Sequence, residues 1–481
     1  MSLSVDAPAG EALGVLSRFR VEFYECLYAR ADALFELTDA MLCADGPVKT
    51  LVELSLAVEH RRGHGALYAA LDRGWMEPTR LRRTLARLPL PRAADGRIVL
   101  AVDVSNWLRP DAPTSNERLF CHVYGRGDRK TDQLVPGWPY SFVGALETGR
   151  TSWVALLDAV RLGPADDATA VTATQLRDVI KRLTQAGHWH PGELEILIVM
   201  DSGYDVAYLS HALADLPVVL VGRLRSDRVM LRDPGPARSG PKGGRPRRHG
   251  GVLTFAKPDS WHQPDVTTGT DTTRYGKAEA IAWDRMHPRL THRGPWLDHA
   301  QEELPVLHGT LIRLKVERLP GDRDPKPVWL WCSATAATSA QVDLWWQSFL
   351  RRFDLEHTFR LMKQTLGWTA PQVRHADTAD LWTWLVIAAH TQLRLARPLA
   401  EDLRRPWERR TEPRRLTPAR VRRGFRNLRP TTACPAAAPK PSRPGPGRPP
   451  GSKNTHRAKR HDVGKTVKRA ETIKEQQARR G

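Results

Sequence analysis

Two continuous apolar runs that each end in an aspartate, Arg97-Ile-Val-Leu-Ala-Val-Asp103 and Leu194-Glu-Ile-Leu-Ile-Val-Met-Asp201, constrain this chain more than any other feature. A strand without polar alternation buries both faces, so each run predicts a central strand in a sheet covered on both sides. A carboxylate at the end of such a strand is costly to bury unless it is paired, hydrogen-bonded or bound to a metal. One strand-end aspartate reads as a loop cap; two together read as parts of a site. Around them, 120–124, 152–162 and 217–223 carry further strand patterns, and 169–183 and 206–213 carry helical ones. Strands with interspersed helices predict an α/β fold on a mixed sheet flanked by helices.

The stretch 345–368 supplies a third carboxylate. Trp346, Phe349, Phe353, Leu355, Phe359 and Met362 recur near helical period, Gly367 is a stop signal and no proline intervenes, which predicts one helix. Arg352, Glu356 and Lys363 project from one side of it, with Arg360 one turn beyond Glu356. A carboxylate ringed by three cations suits a site for a metal and for phosphates. The plainer reading is a surface ladder of ion pairs, Arg352–Glu356–Arg360.

Charge speaks to partners. Seventy-four Lys and Arg against 53 Asp and Glu leave a net +21 and a pI near 10.2. A polyanion, nucleic acid first, is the partner such a balance favours. The five cysteines are scattered with no Cys-x-x-Cys pair, which argues against a zinc knuckle or a disulfide framework and fits a reducing cytoplasm. No apolar run reaches membrane-spanning length, and the N-terminus has no basic-then-apolar leader, so a soluble, unexported protein is expected.

Patterning divides the chain into five parts. Residues 1–95 read as a helical, DNA-binding domain, with a possible helix-turn-helix about Arg73-Gly74-Trp75 and a plain bundle as the simpler account. Residues 96–230 and 340–400 read as the two parts of the core. Between them, 231–339 reads as a β-rich insertion with a Gly-, Pro- and Arg-rich loop around Arg245, and with 310–318 and 327–332 forming a hairpin. Residues 401–481 read as a basic, largely disordered tail; from 440 onward it holds thirteen Lys or Arg against three acidic residues. Gly447-Arg448-Pro449 resembles an AT-hook, in which Arg448 would enter a narrow A·T minor groove.

Asp103, Asp201 and Glu356, on strand, strand and helix in that order, resemble the acidic triad of DDE transposases with an RNase H-like fold. The fuller resemblance is to insertion-sequence transposases whose glutamate lies in a Tyr-(2)-Arg-(3)-Glu-(6)-Lys signature. This chain reads Phe349-(2)-Arg352-(3)-Glu356-(6)-Lys363, keeping the ring of the first position but not its hydroxyl. The resemblance covers roughly 97–400, including the β-rich insertion before the glutamate.

It implies metal-dependent cleavage at transposon ends and strand transfer into target DNA, by a dimer on terminal inverted repeats. The three carboxylates would hold two Mg²⁺ ions about 3.5–4 Å apart, with Mn²⁺ able to substitute. Asp205 is the nearest substitute for Asp201. Arg352, Arg360 and Lys363 would meet DNA phosphates, and one of Trp345, Trp346 and Trp368 could stack on a flipped base. A nucleoid-associated cytoplasmic protein follows. Alternatives are a transposase-derived DNA-binding protein that no longer cuts, and an RNase H-like nuclease without strand transfer.

Overall fold

A computed structural model describes residues 9–125, 131–149, 151–235, 247–299, 301, 303–319, 325–440, 451 and 456–465. The N-terminal part contains α1 (Ala9–Glu25), β1 (Leu27–Ala29), α2 (Ala31–Cys43), α3 (Leu51–Ser55), α4 (His64–Arg73), β2 (Trp75–Met76) and α5 (Pro78–Arg87). Next come β3 (Val99–Leu108), β4 (Leu119–Val123), β5 (Gln133–Leu146), β6 (Val154–Arg161), α6 (Ala168–Gln185), β7 (Ile196–Met200), α7 (Val206–Ala212) and β8 (Val218–Leu224). Strands β9 (Val229–Leu231), β10 (Val252–Thr254), β11 (Val266–Thr272), β12 (Gly276–Met286), β13 (Gly309–Val316) and β14 (Val328–Cys332) follow. The chain ends with α8 (Ser339–Arg351), α9 (Phe353–Gln364), α10 (Ala376–Ala396) and α11 (Pro418–Leu428).

The two apolar runs of the sequence are β3 and β7, and they lie side by side and parallel at the centre of a mixed sheet of ten strands. On one side of β3 stands β5, antiparallel, whose far edge carries β6 along one half and β4 along the other. On the other side the order continues β7, β8, β14, β13, β12, β11. Insertion strands β11–β14 therefore extend the main sheet, while β9 and β10 pair with each other as a separate two-stranded ribbon. The outer edge of β8 would otherwise be left unpaired, and β14, apolar on both faces, closes it. β13 and β14 pair antiparallel, as the sequence pattern predicts; residues 320–324 between them lie outside the described residues.

One face of the sheet packs on α6 and α7 through Leu100, Val102, Leu176 and Leu209. The other packs on α8, α9 and α10 through Val99, Ala101, Phe359 and Trp368. That second core runs on without a break into Leu16, Phe23, Leu34 and Leu85, so the N-terminal helices are not a separate unit. Helix α5 shows why. Arg82 leaves it to pair with the buried Asp158 of β6 at 2.9 Å, and Arg182 of α6 binds the same carboxylate. Arg80 pairs with Glu25 and Arg83 with Glu77, so three of the cations expected on an open recognition helix are engaged within the protein.

Within 401–481, read from the sequence as largely disordered, residues 401–440 are ordered, and 441–450, 452–455 and 466–481 lie outside the described residues. Helix α11 packs on α2 and α10, with Val421 and Phe425 fully buried. Its arginines serve the open C-terminal end of α2: Arg422 donates to the Met41 carbonyl at 2.9 Å and to Gly46 at 2.6 Å. Further on, the Gly464 N–H donates to the Arg118 carbonyl at 2.8 Å beside β4. Arg245 and Arg448 lie outside the described residues.

Candidate active site

Register places the two aspartates level with each other. Ala101 of β3 stands opposite Val199 of β7, so Asp103 and Asp201, two residues on, leave neighbouring parallel strands at one height. Asp103 Oδ1 accepts the Val104 N–H at 2.9 Å, and Asp201 Oδ1 accepts the Ser202 N–H at 2.7 Å. Asp205 is engaged elsewhere: its side chain caps α7 by accepting the Tyr208 N–H at 3.0 Å.

The third carboxylate arrives from α9. The expected single helix is two, broken at Arg352, whose N–H turns back to the Phe349 carbonyl instead of continuing the ladder. The break sends the Arg352 side chain into the sheet. Its guanidinium donates to Asp103, to Glu356 at 3.1 Å and to Asp201 at 3.4 Å. Residues far apart in sequence thus converge on one buried cation. Phe353 lies under the same guanidinium at 5.4 Å and remains exposed.

The trio holds more negative charge than the protein's own cations relieve. Burial pushes the Asp103 carboxyl up to about 6, Arg352 pulls it down, and Glu356 and Asp201 push it up again. The Arg352 Nε is buried without a partner. Arg223 of β8 adds a second cation, 3.7 Å from Asp201. Burial, and next the charge of Asp103, also push the Tyr204 phenol up.

Among the described residues no three acidic, imidazole or thiol groups are closed into a ready metal cage; the carboxylates are gathered on the guanidinium instead. Their chemistry nevertheless fits a divalent ion. All three are hard oxygen donors, and they surround a position that already carries positive charge.

The remaining sequence candidates fall differently. Lys363 does not join the trio: it lies half-buried with Nζ 5.5 Å from the Trp368 ring, and burial pushes it down to about 8. Arg360 is exposed and makes no ion pair among the described residues, so the surface ladder does not form. Phe349 is buried, facing the core where a tyrosine hydroxyl would have had no water. Trp345, Trp346 and Trp368 are all buried, which removes them as stacking platforms. The aromatic beside the trio is Phe353, an apolar residue of the helical pattern that the structure leaves exposed.

Arg223 and Tyr204 had no sequence signal of their own. Arg223 ends a strand run, and Tyr204 sits in the turn after Asp201. Only proximity to Asp201 in the chain could have marked Tyr204.

Two central strands and a covering helix thus bring three carboxylates around one cation. The chain belongs to the DDE superfamily endonucleases, whose family profile matches residues 22–289, more than half its length. The match takes in Asp103 and Asp201, begins within α1 and ends before Glu356. Enzymes of this superfamily generally use divalent metal ions, typically Mg²⁺. No curated protein matches the chain. Among the described residues no helix is long and apolar enough to cross a membrane.

Proposed function

We propose that this protein is a transposase of the insertion-sequence type bearing the Tyr-Arg-Glu-Lys signature, which cuts the ends of its element and joins them to target DNA. The observation that carries the reading is the meeting of Asp103, Asp201 and Glu356 on the Arg352 guanidinium. The strand order β6–β5–β3–β7–β8, with β3, β5 and β6 antiparallel and β3, β7 and β8 parallel, supports an RNase H-like core. Net charge supports double-stranded DNA as partner, with a dimer on paired terminal repeats and a place at the nucleoid.

In this reading Asp103, Asp201 and Glu356 would hold Mg²⁺, or Mn²⁺ in its place. Divalent ions held there supply activation of the attacking oxygen and stabilisation of the leaving oxygen. The protein's own part is to gather the carboxylates and keep them from repelling one another while the site is free. Arg352 does this, and once released from the trio its guanidinium matches a phosphate in bidentate fashion. Arg223 lies on the Asp201 side to meet the same backbone, and Lys363 and Arg360 continue along α9. Arg245 and Arg448 would add basic contacts to DNA.

The family's description as endonucleases favours one second reading, hydrolysis without joining. Glu356→Gln separates chemistry from binding. It should abolish Mg²⁺-dependent release of a labelled transposon end and leave DNA affinity close to wild type. Release that survives in Glu356→Gln would remove this residue from the site. Release by the wild type without joining to target DNA would leave the nuclease.

A further inference from the structure

Behind the catalytic trio, across the α8–α9 junction, lies a cavity of about 970 Å³. It is bounded by α8 and α9, the β5–β6 turn, the tip of the β11–β12 hairpin and the segment around Leu416. Arg351 and Arg352, adjacent at the helix break, divide the two sites between them. Arg352 faces the carboxylates. Arg351 lines the cavity, donating to the Gly149 carbonyl and pairing with Asp354 at 2.7 Å.

The floor of the cavity is apolar, lined by Leu146, Leu344 and the buried Trp153 and Trp346, and the partly exposed ring in it is Tyr275. The floor's charges cancel: Arg397 pairs with Glu147 at 2.7 Å, as Arg351 does with Asp354. The rim's do not. Arg274 and Arg318 are exposed at the mouth, and neither has a carboxylate within ion-pair distance among the described residues. Arg274 instead lies over the Tyr275 ring at 5.5 Å, and Arg318 donates to the Thr273 carbonyl at 3.3 Å.

We propose that this cavity is a second, non-catalytic binding site for a nucleotide, with the base against the Tyr275 ring and the apolar lining and the phosphate on Arg274 and Arg318. Its size lies at the upper end of the roughly 300–1,000 Å³ usual for small-ligand sites. Guanidinium forks match phosphate oxygens, and flat rings take any base. A free nucleotide and the end of a DNA strand share this chemistry. The site does not depend on Asp103, Asp201 or Glu356, so it can be tested without metal and without cleavage.

The probe is a fluorescein-labelled tetradeoxynucleotide, phosphorylated at its 5′ end, titrated with full-length protein in EDTA and read by anisotropy. Arg274→Glu/Arg318→Glu should weaken binding about tenfold or more. Gln347→Trp, an exposed and uncharged position of the lining, should weaken it by filling the mouth. Lys181→Glu/Lys257→Glu makes the same charge change at exposed positions outside the cavity and should leave affinity near wild type.

Competition by ATP, with ATP binding of its own in calorimetry, makes a free nucleotide the ligand. Binding of the oligonucleotide alone makes it a strand end. The proposal fails if Gln347→Trp binds like wild type, or if the remote charge reversal costs as much as the rim reversal.

Discussion

Arg352 is the residue whose removal tells most. Its side chain is almost fully buried and contacts three carboxylates, of which Asp103 is sheltered while Asp201 and Glu356 are each about a third or more open to water. Removing one partner of a buried ion pair costs about 3–5 kcal/mol. Because two of the three contacts are screened, Arg352→Met should fall near the lower end, about 3 kcal/mol. The loss has a pH signature. The Asp103 carboxyl already stands at about 6 in the folded protein, above its usual 3.8, with Arg352 pulling it down. Without that pull it rises further, so the folded variant binds more protons than the unfolded chain through this range.

Stability must then fall as pH rises, with the deficit largest at neutral and alkaline pH and gone in acid below both values. A divalent ion should replace the missing cation, and at a hundred times its dissociation constant it would restore about 2.7 kcal/mol. The assay is urea unfolding followed by tryptophan fluorescence, at alkaline and acid pH, with and without MgCl₂. The expected result is a variant weakened at alkaline pH and largely rescued by Mg²⁺, with wild type gaining less because its own arginine occupies the centre. A variant as stable as wild type, or one that Mg²⁺ leaves unchanged, would refute the charge argument for a metal site.

Two further outcomes follow from buried charges elsewhere. Burial pushes Lys363 down to about 8 from 10.5, so between those values the unfolded chain binds the extra proton and stability rises with pH. Lys363→Met should therefore stabilise the protein at neutral pH by about 3 kcal/mol, a gain that fades towards alkaline pH, while weakening DNA binding in gel-shift titrations. A loss of stability at neutral pH would show that the ammonium has a partner there. Asp158→Asn breaks the pair with Arg82 and Arg182 that ties α5 to β6, and should cost about 3–5 kcal/mol. Limited proteolysis would then release the N-terminal helices together with the loss of the core's own protection; an intact, protected core would mean that the helices form a unit after all.

What the sequence discloses about this fold follows from where chemistry is local. The runs ending in Asp103 and Asp201 are legible because a doubly covered strand must be apolar on both faces, and little else reads that way. Glu356 is legible through its spacing from Arg352 and Lys363. The break at Arg352 is not, since neither proline nor glycine marks it and the carboxylates that draw its side chain into the sheet, Asp103 and Asp201, belong to other elements. The ordered stretch 401–440 is hidden for a related reason. Composition treats its arginines as solvated, whereas Arg422 and Arg426 satisfy the carbonyls of Met41, Cys43 and Gly46, nearly four hundred residues away. The insertion reads as a lobe because periodicity reveals strands but not the edge they will pair with, and here that edge is β8.

On the proposed function, the carboxylates that would hold a divalent ion are gathered on an arginine for an electrostatic reason. Three carboxylates brought to one point in a partly dry interior repel one another; burial first, and their repulsion after it, hold the Asp103 carboxyl up at about 6 even beside Arg352. A cation carried at the start of the helix that delivers Glu356 lets the site assemble as the helix docks, before any metal or DNA has bound. On the proposed function, a divalent ion held by the three carboxylates would take over the neutralising role of the guanidinium, and bound DNA would offer it phosphates. Charge stays balanced throughout if Arg352 passes from carboxylates to phosphate, a short movement for a side chain anchored at a helix break. The arginine of the signature then has two tasks rather than one, and lysine at this position, a point charge without the fork, would serve the first better than the second.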